Sequence, residues 1–299
     1  MPTFTANQRG ILAIVACMAS YTINDVLVKD ILSRYPVGET IFLRGVMCSL
    51  LIGAFALAFG HGAQFRAITS RRLMARSAFD GLSTAGFIAA LAHMQLANLS
   101  AVLQVAPLII TALSVLLYGE TVGWRRWTAI GVGFAGALLV IKPVPSAFDV
   151  WAVVGIASAL AAALREMTNR GIDQAVPTLV IAFWGAAGIT LCGALFYPAE
   201  QWVMLATRDL VVLFIAAIFV GLAIYLLALG FRGVDLSVVA PFRYSYILTS
   251  TLGGFLVFGE WPDGWSTVGA ILIVVSGIYA LHREAVRHRD ITATSAPAA

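Results

Sequence analysis

Charge is what this chain lacks most. Only 11% of its 299 residues are Asp, Glu, Lys or Arg, against about a quarter in soluble domains. Hydrophobic residues make up 60% and the mean hydropathy is +0.91. That balance excludes a water-soluble globular fold and makes the bilayer the chain's solvent. Cysteine is nearly absent too: Cys17, Cys48 and Cys192 all sit in apolar runs, where they read as packing residues and not as disulfides or metal ligands. The four histidines, His61, His93, His282 and His288, are scattered, so no metal centre is expected. No HExxH, GxSxG or Walker A sequence occurs, which argues against a membrane enzyme and an ATP-driven pump. No cofactor is expected. The pI of 9.1 follows from basic residues at membrane loops and calls for no nucleic acid.

What is present is a succession of apolar stretches of about 20 residues, the length that spans a bilayer. Five run from Ile11 to Val28, Val37 to Phe59, Ser77 to Ala97, Ser100 to Tyr118 and Trp124 to Ile141. Five more run from Val150 to Met167, Pro177 to Tyr197, Leu210 to Leu229, Leu236 to Phe258 and Trp265 to Leu281. An all-α polytopic membrane protein with ten transmembrane helices is predicted, with the lipid bilayer as its surroundings. The first span follows a single basic residue, Arg9, without a small-residue cleavage site, and reads as a retained helix. With the N-terminus placed in the cytoplasm, thirteen of the 19 Lys and Arg residues flank spans on the inner side, among them Arg66, Arg71, Arg72, Arg76, Arg165 and Arg170. Lys29, Arg34, Lys142 and Arg208 lie outside, and Arg44 and Arg243 fall within spans. The positive-inside rule then predicts a multi-pass protein of a bacterial-type inner membrane with both termini cytoplasmic.

The chain repeats itself. Asn98-Leu99-Ser100, Val105-Ala106-Pro107, Gly119-Glu120 and Trp127 to Gly131 recur in order as Asp235-Leu236-Ser237, Val239-Ala240-Pro241, Gly259-Glu260 and Trp265 to Gly269. Five spans is an odd number, so the second copy enters the membrane inverted, an architecture known for secondary transporters. The Lys142 to Ser146 stretch with two prolines marks the boundary. This predicts halves at 1–145 and 146–285 and a cytoplasmic tail at 286–299.

On these residues the chain resembles the EamA-type branch of the drug/metabolite transporter superfamily. Each half looks like one EamA repeat, Arg44 in Phe42-Leu43-Arg44-Gly45 resembles an arginine of the family's second span, and Ala240-Pro241-Phe242-Arg243-Tyr244 with Phe258-Gly259-Glu260-Trp261-Pro262-Asp263 looks like the ninth span of bacterial members. The overall pattern is closest to YddG-like amino-acid exporters. The resemblance implies a secondary transporter exporting small metabolites across the inner membrane by alternating access, with amino acids first. Import, or a nucleoside, sugar or S-adenosylmethionine as substrate, stays open, as does a channel.

Ionisable groups at bilayer depth are costly and mark sites. Arg44 either anchors a carboxylate through its fork or pairs with Asp25, Glu39 or Asp80. Asn24 and Asp25, with Tyr21 one turn away, either receive an amino group or a proton or form a wet helix end. Asp80 reads as an interfacial residue. Ser100, Gln104, Pro107, Thr111 and Ser114 make one continuous face of the fourth span, a cavity lining or helix glue. Arg243, Tyr246 and Ser250, with Tyr244 close by, form the counterpart in the ninth, where Arg243 has a headgroup contact as its other reading. His93 is a lone intramembrane histidine, a packing residue or a relay. Trp184 is a stacking surface for an aromatic substrate or a core residue. The small residues of the fifth and tenth spans serve as scaffold or dimer contact. Expected partners are therefore a small-molecule substrate and lipid, with proton coupling and the choice of monomer or homodimer open.

Overall fold

The computed structural model describes residues 5–118, 124–141, 150–169, 172–173, 175–230 and 239–294. Its α-helices are α1 Ala6–Leu32, α2 Val37–Ala58, α3 Arg71–Leu91, α4 Leu96–Leu103, α5 Ala106–Tyr118 and α6 Trp124–Ile141. They continue with α7 Val150–Asn169, α8 Thr178–Ala194, α9 Thr207–Gly230, α10 Ser245–Phe258 and α11 Gly264–Thr294. The Gly119-Glu120 corner, the Pro145 boundary and the Asp235-Leu236-Ser237 triplet lie outside the described residues.

Local chemistry sets the ends. Thr5 opens α1 with a capping box: its hydroxyl accepts from the Gln8 backbone N–H and the Gln8 side chain accepts from that of Thr5. Pro36, which supplies no amide hydrogen, precedes α2. Gly259 ends α10 at φ 68°, with its N–H on Phe255 O and that of Glu260 on Gly254 O, a left-handed cap that a β-carbon would strain. The Gly-Glu corner is thus a helix stop that throws Glu260 sideways.

The helices pair antiparallel. α1 packs on α9, α2 on α8, α3 on α7, α4 on α10 and α6 on α11. On the last pair, a β-carbon on Gly136 would come 2.7 Å from the Gly269 carbonyl, and one on Gly269 2.5 Å from that of Gly136. These glycines bring two backbones of one chain together, the scaffold use of small residues. The connections at 33–36, 92–95, 195–206 and 259–263 gather at one end. Arg34 there bonds Asp30 at 2.7 Å and Asp209 at 3.0 Å, and Glu200 accepts from the Gly38 N–H at 2.9 Å.

Polarity is distributed inside out. Leu50, Leu57, Leu116, Leu191 and Leu248 are exposed while Asn24, Asp25, Glu39, Arg44, Ser100, Ser158 and Ser250 are buried, the arrangement a lipid solvent requires. Among the described residues, six helical stretches are long and apolar enough to cross a bilayer: Ala6–Leu32, Val37–Ala58, Leu96–Leu116, Val150–Asn169, Thr178–Ala199 and Thr207–Leu227. The predicted third span, Ser77 to Ala97, is displaced. α3 starts six residues earlier, takes Arg71, Arg72 and Arg76 into its first two turns and stops at Leu91, because long basic side chains reach the interface while their backbone stays helical. At the other extreme α11 runs on to Thr294, so helical backbone continues into the predicted tail.

Candidate functional site

The expectation of one continuous polar face on the fourth span is corrected by the structure. The helix stops after Leu103 and restarts at Ala106, leaving Gln104 and Val105 between α4 and α5. Pro107, two residues beyond, fits the first turn of a new helix because its missing N–H would be unpaired there anyway. In the ninth span a 3-10 turn over Ala240–Tyr244, with Pro241 at its start, leads into α10. The break and the turn meet: Gln104 Nε2 donates to the Arg243 carbonyl at 3.0 Å. Backbone that leaves helical geometry inside a bilayer must find such partners or line a cavity.

Beside this junction, α1, α2 and α10 build a buried array. Arg44 Nε donates to Asn24 Oδ1 at 3.0 Å, Asn24 Nδ2 donates to Asp25 Oδ1 at 2.8 Å, and Tyr246 OH donates to Asp25 Oδ2 at 2.5 Å. Each of the four residues is less than a tenth exposed. Asn24 faces both ways, its carbonyl toward the cation and its amide toward the anion, so Arg44 and Asp25 stay electrostatically linked without forming a direct pair. Asp25 is therefore no wet helix end. Among the described residues, neither terminal nitrogen of Arg44 has a hydrogen-bond partner. What this array offers chemically is a forked donor beside a carboxylate acceptor in an apolar surround.

The same face of α1 continues as a seam. Thr22 Oγ1 and Thr249 Oγ1 share a hydrogen bond at 2.7 Å, and Lys29 Nζ reaches Glu260 Oε1 at 2.5 Å and the Met94 carbonyl at 2.8 Å. Glu260 Oε2 accepts the Leu96 N–H at 3.1 Å, satisfying the start of α4. Ser100 and Ser250 meet at 2.5 Å between α4 and α10. Lys29, expected as a loop cation, thus lies inside α1 and is largely buried against Glu260.

Other expected site residues go elsewhere. Trp184 is not brought to the array. Gly45 lies against Thr190 and Gly53 against Phe183, so Trp184 sits level with the far part of α2, about 12 Å along the axis from Arg44. Its indole N–H donates to the Phe65 carbonyl at 3.0 Å. His93 is not intramembrane helix: it falls in the turn after α3, is exposed, and stacks on Trp151 at 4.0 Å between ring centroids. Tyr244 turns toward α11, where its ring occupies the space a side chain on Gly277 would need. Arg243 keeps its backbone at the junction, and its charge reaches Tyr21 and Glu166.

One cluster escaped the sequence reading. Asp80 accepts from Arg76 at 3.2 Å and from Arg165 at 3.0 Å, and Arg165 also holds Glu166 at 3.0 Å. Asp80 is a part-buried bridge between α3 and α7, and Arg165 lies within α7 and is no loop cation. The Arg76-to-Asp80 spacing of four residues was the only signal in the sequence.

Comparison with known proteins places these features in context. Residues 8–142 match the EamA-like transporter family; Asn24, Asp25, Arg44 and Gln104 fall within that stretch. The S-adenosylmethionine uptake transporter of Rickettsia prowazekii (strain Madrid E) is 25% identical over 279 residues, 92% of this chain and 93% of that protein. The pseudopaline exporter CntI of Pseudomonas aeruginosa (strain UCBPP-PA14) is 27% identical, covering 91% of this chain and 95% of its own. A riboflavin transporter of Rhizobium johnstonii is 25% identical over 73% of this chain and 72% of its own. A solved protein structure shares the fold, with a TM-score of 0.63 at 19% identity, covering 92% of this chain and 98% of that one. With six apolar helices of spanning length and transporters as relatives, the chain is a multi-pass membrane protein.

Proposed function

We propose that this protein is an EamA-type secondary transporter that exports small zwitterionic metabolites, amino acids first among them, by alternating access. The observation that carries this reading is the Arg44–Asn24–Asp25–Tyr246 array, buried beside the break of the fourth span and the 3-10 turn of the ninth. A zwitterion needs one donor-rich and one acceptor-rich group in an apolar setting. Arg44 offers two unclaimed terminal nitrogens to a carboxylate, and Asp25 offers its oxygens to an ammonium. Discontinuous helices at the meeting of two halves are where transporters place their sites.

The helix pairing supports ten spans in two inverted five-span units, 1–145 and 146–285. When α4 and α5 are counted as one span, the pairs α1–α9 and α3–α7 exchange under a swap of halves, while α2–α8, α4–α10 and α6–α11 map onto themselves. The excess of basic residues puts the Lys29–Glu260 end outside the cell, both termini in the cytoplasm and the chain in a bacterial-type inner membrane. The paired polar contacts around the break and the turn favour alternating access over a channel.

S-adenosylmethionine is the second reading. It carries an amino-acid head that fits the same donor and acceptor, and the Rickettsia relative aligns over nearly the whole chain. Purified protein in liposomes, challenged with radiolabelled amino acids, S-adenosylmethionine, a nucleoside and a sugar under imposed and collapsed pH gradients, decides between them. Saturable movement of amino acids supports the first reading and shows whether protons are coupled. Movement of nucleoside or sugar alone removes the zwitterion assignment, and single-channel currents without saturation remove alternating access.

A further inference from the structure

We propose that Asp25 serves at once as the substrate's ammonium receptor and as the lock of the outer seam, so that only a ligand bearing a cationic nitrogen or sulfonium opens the protein to the outside. This deepens the transport reading above and rests on it.

The seam runs where α1 lies along α10. Three polar ties close it, taken in order along α1: Thr22 to Thr249 at 2.7 Å, Asp25 to Tyr246 at 2.5 Å, and Lys29 to Glu260 at 2.5 Å, with Tyr246 standing one turn before Thr249 on α10 and reaching across to Asp25. On α1 these positions are three and four residues apart and share one helix face. Between them the backbones are close, since a β-carbon on Gly253 would come 2.9 Å from Thr22 Cγ2 and 3.0 Å from Val26 Cγ2. Nothing the size of a metabolite passes such a contact, so release to this end requires α1 and α10 to part.

The middle tie is the one that ligand chemistry can exchange. Lys29 and Glu260 are already a charged pair, and two threonine hydroxyls hold no charge. Asp25 alone offers an anion whose current partner on α10 is a neutral phenol. The carboxylate is 5% exposed, with Asn24 on one oxygen and Tyr246 on the other. Each oxygen keeps a second lone pair, but the close α1–α10 packing around Asp25 leaves an ammonium little room beside the phenol, so it enters on the Tyr246 side and exchanges for it. The Tyr246 bond is already charge-assisted on the carboxylate side, but the phenol brings no positive charge, whereas an ammonium neutralises Asp25 inside an apolar surround, so the exchange runs in the ligand's favour. Charged and titratable groups facing Asp25 are Arg44 on α2, through Asn24, Tyr246 on α10 and Tyr21 one turn back on α1. None of them supplies a second cation at the Tyr246 side. A ligand with a carboxylate alone occupies Arg44 and leaves the seam shut.

The test is thiol labelling from the outside. Full-length protein carrying Val26→Cys, with Cys17, Cys48 and Cys192 replaced by Ala, is reconstituted and treated with a membrane-impermeant maleimide. Methionine and its deaminated counterpart, 4-(methylthio)butanoate, are the probes. Methionine is expected to raise the labelling rate severalfold, while the deaminated acid competes with radiolabelled methionine for binding yet leaves the rate at rest. Tyr246→Phe, which removes the middle tie without changing the ring, is expected to raise the resting rate with no ligand. Equal acceleration by both probes, or a resting rate unmoved by Tyr246→Phe, overturns the proposal. If neither methionine nor its deaminated form binds, the amino-acid reading falls and takes the ligand half of this proposal with it. The Tyr246→Phe arm still decides the seam by itself.

Discussion

Arg44→Lys separates charge from geometry at the centre of the array. The arginine uses Nε on Asn24 Oδ1 at 3.0 Å and leaves both terminal nitrogens of its fork unclaimed among the described residues. A lysine places one ammonium where the arginine had three nitrogens. Turned toward Asn24, it keeps Asp25 compensated but abandons the ligand, and turned toward the ligand it does the reverse. The variant therefore loses roughly one charge-assisted hydrogen bond to the substrate carboxylate, about 1.5–3 kcal/mol, which converts to roughly a 10- to 150-fold rise in KM at about 1.4 kcal/mol per tenfold. The positive charge stays in place, so the melting temperature in detergent should move little. Arg44→Ala instead leaves Asp25 buried with no nearby cation and should cost about 3–5 kcal/mol of stability. Counterflow of a radiolabelled amino acid in liposomes gives KM, and a fluorescence melt gives stability. A normal KM in Arg44→Lys combined with a lowered melting temperature would refute the carboxylate role and leave Arg44 a purely structural partner of Asn24.

Asp80→Asn should strip Arg76 and Arg165 of their shared carboxylate and destabilise the protein by about 3–5 kcal/mol, while Asp80→Asn with Arg165→Gln recovers part of that loss; a melt of both variants checks the coupling, and simple additivity would show that the bridge is inert. Gly136→Leu drives a side chain into the Gly269 carbonyl across α6 and α11 and should cost about 1–3 kcal/mol or more, read as reduced folded yield in detergent, with wild-type yield counting against the close pairing. Ser158→Ala removes one of two reciprocal bonds with Ser83, 2.6 Å and 3.1 Å long, and should cost only about 0.6 kcal/mol, the usual scale between membrane helices; a loss several times larger in the same melt would mean that the pair does more than hold α3 to α7. Labelling single cysteines at Arg71 and Trp261 should find them on opposite sides of the membrane, and labelling from the same side would overturn the inverted topology.

Apolar helices were legible because hydropathy accumulates over about 20 residues, and six stretches of spanning length stand among the described residues. The break in the fourth span was not legible. Ser100, Gln104, Thr111 and Ser114 keep helical spacing across a gap in the helix, so periodicity concealed the break at Gln104, whose side chain reaches the Arg243 carbonyl. Asn24, Asp25 and Arg44 were named because polar and ionisable groups inside apolar runs are expensive, Arg44 also from the family resemblance and Tyr246 from the face it shares with Arg243 and Ser250, and the four meet in space. Trp184 lies away from the array because a residue's place on a helix says nothing about which neighbour it faces, and His93 because hydropathy carried the third span past the end of α3 at Leu91. The Lys29–Glu260 pair joins positions 231 residues apart, and no local pattern announces such a meeting, although Gly259 did announce the turn that makes it possible.

α1 divides along its length into a part that ligand chemistry cannot reach and a part that it can. Toward its N-terminus Ile14, Cys17 and Met18 are buried in an apolar cluster with Ala223 of α9, Val239 and Tyr246, and the Cys17 thiol donates to the Ala223 carbonyl. A zwitterion has nothing to exchange on the α1–α9 side of this cluster, so that contact can act as a fixed hinge, while the Tyr246 hydroxyl reaches from it to Asp25. Beyond Tyr21 the contacts with α10 are polar ties. Between membrane helices such ties are worth about 0.6–2 kcal/mol each, which makes the three together a barrier of a few kcal/mol. A ligand's differential affinity for two states is typically of the same size, about 1–3 kcal/mol. A seam built of many ties would stay shut whatever bound, and an apolar one would give the substrate no handle. Three ties with one exchangeable carboxylate in the middle put opening within reach of a single bound zwitterion.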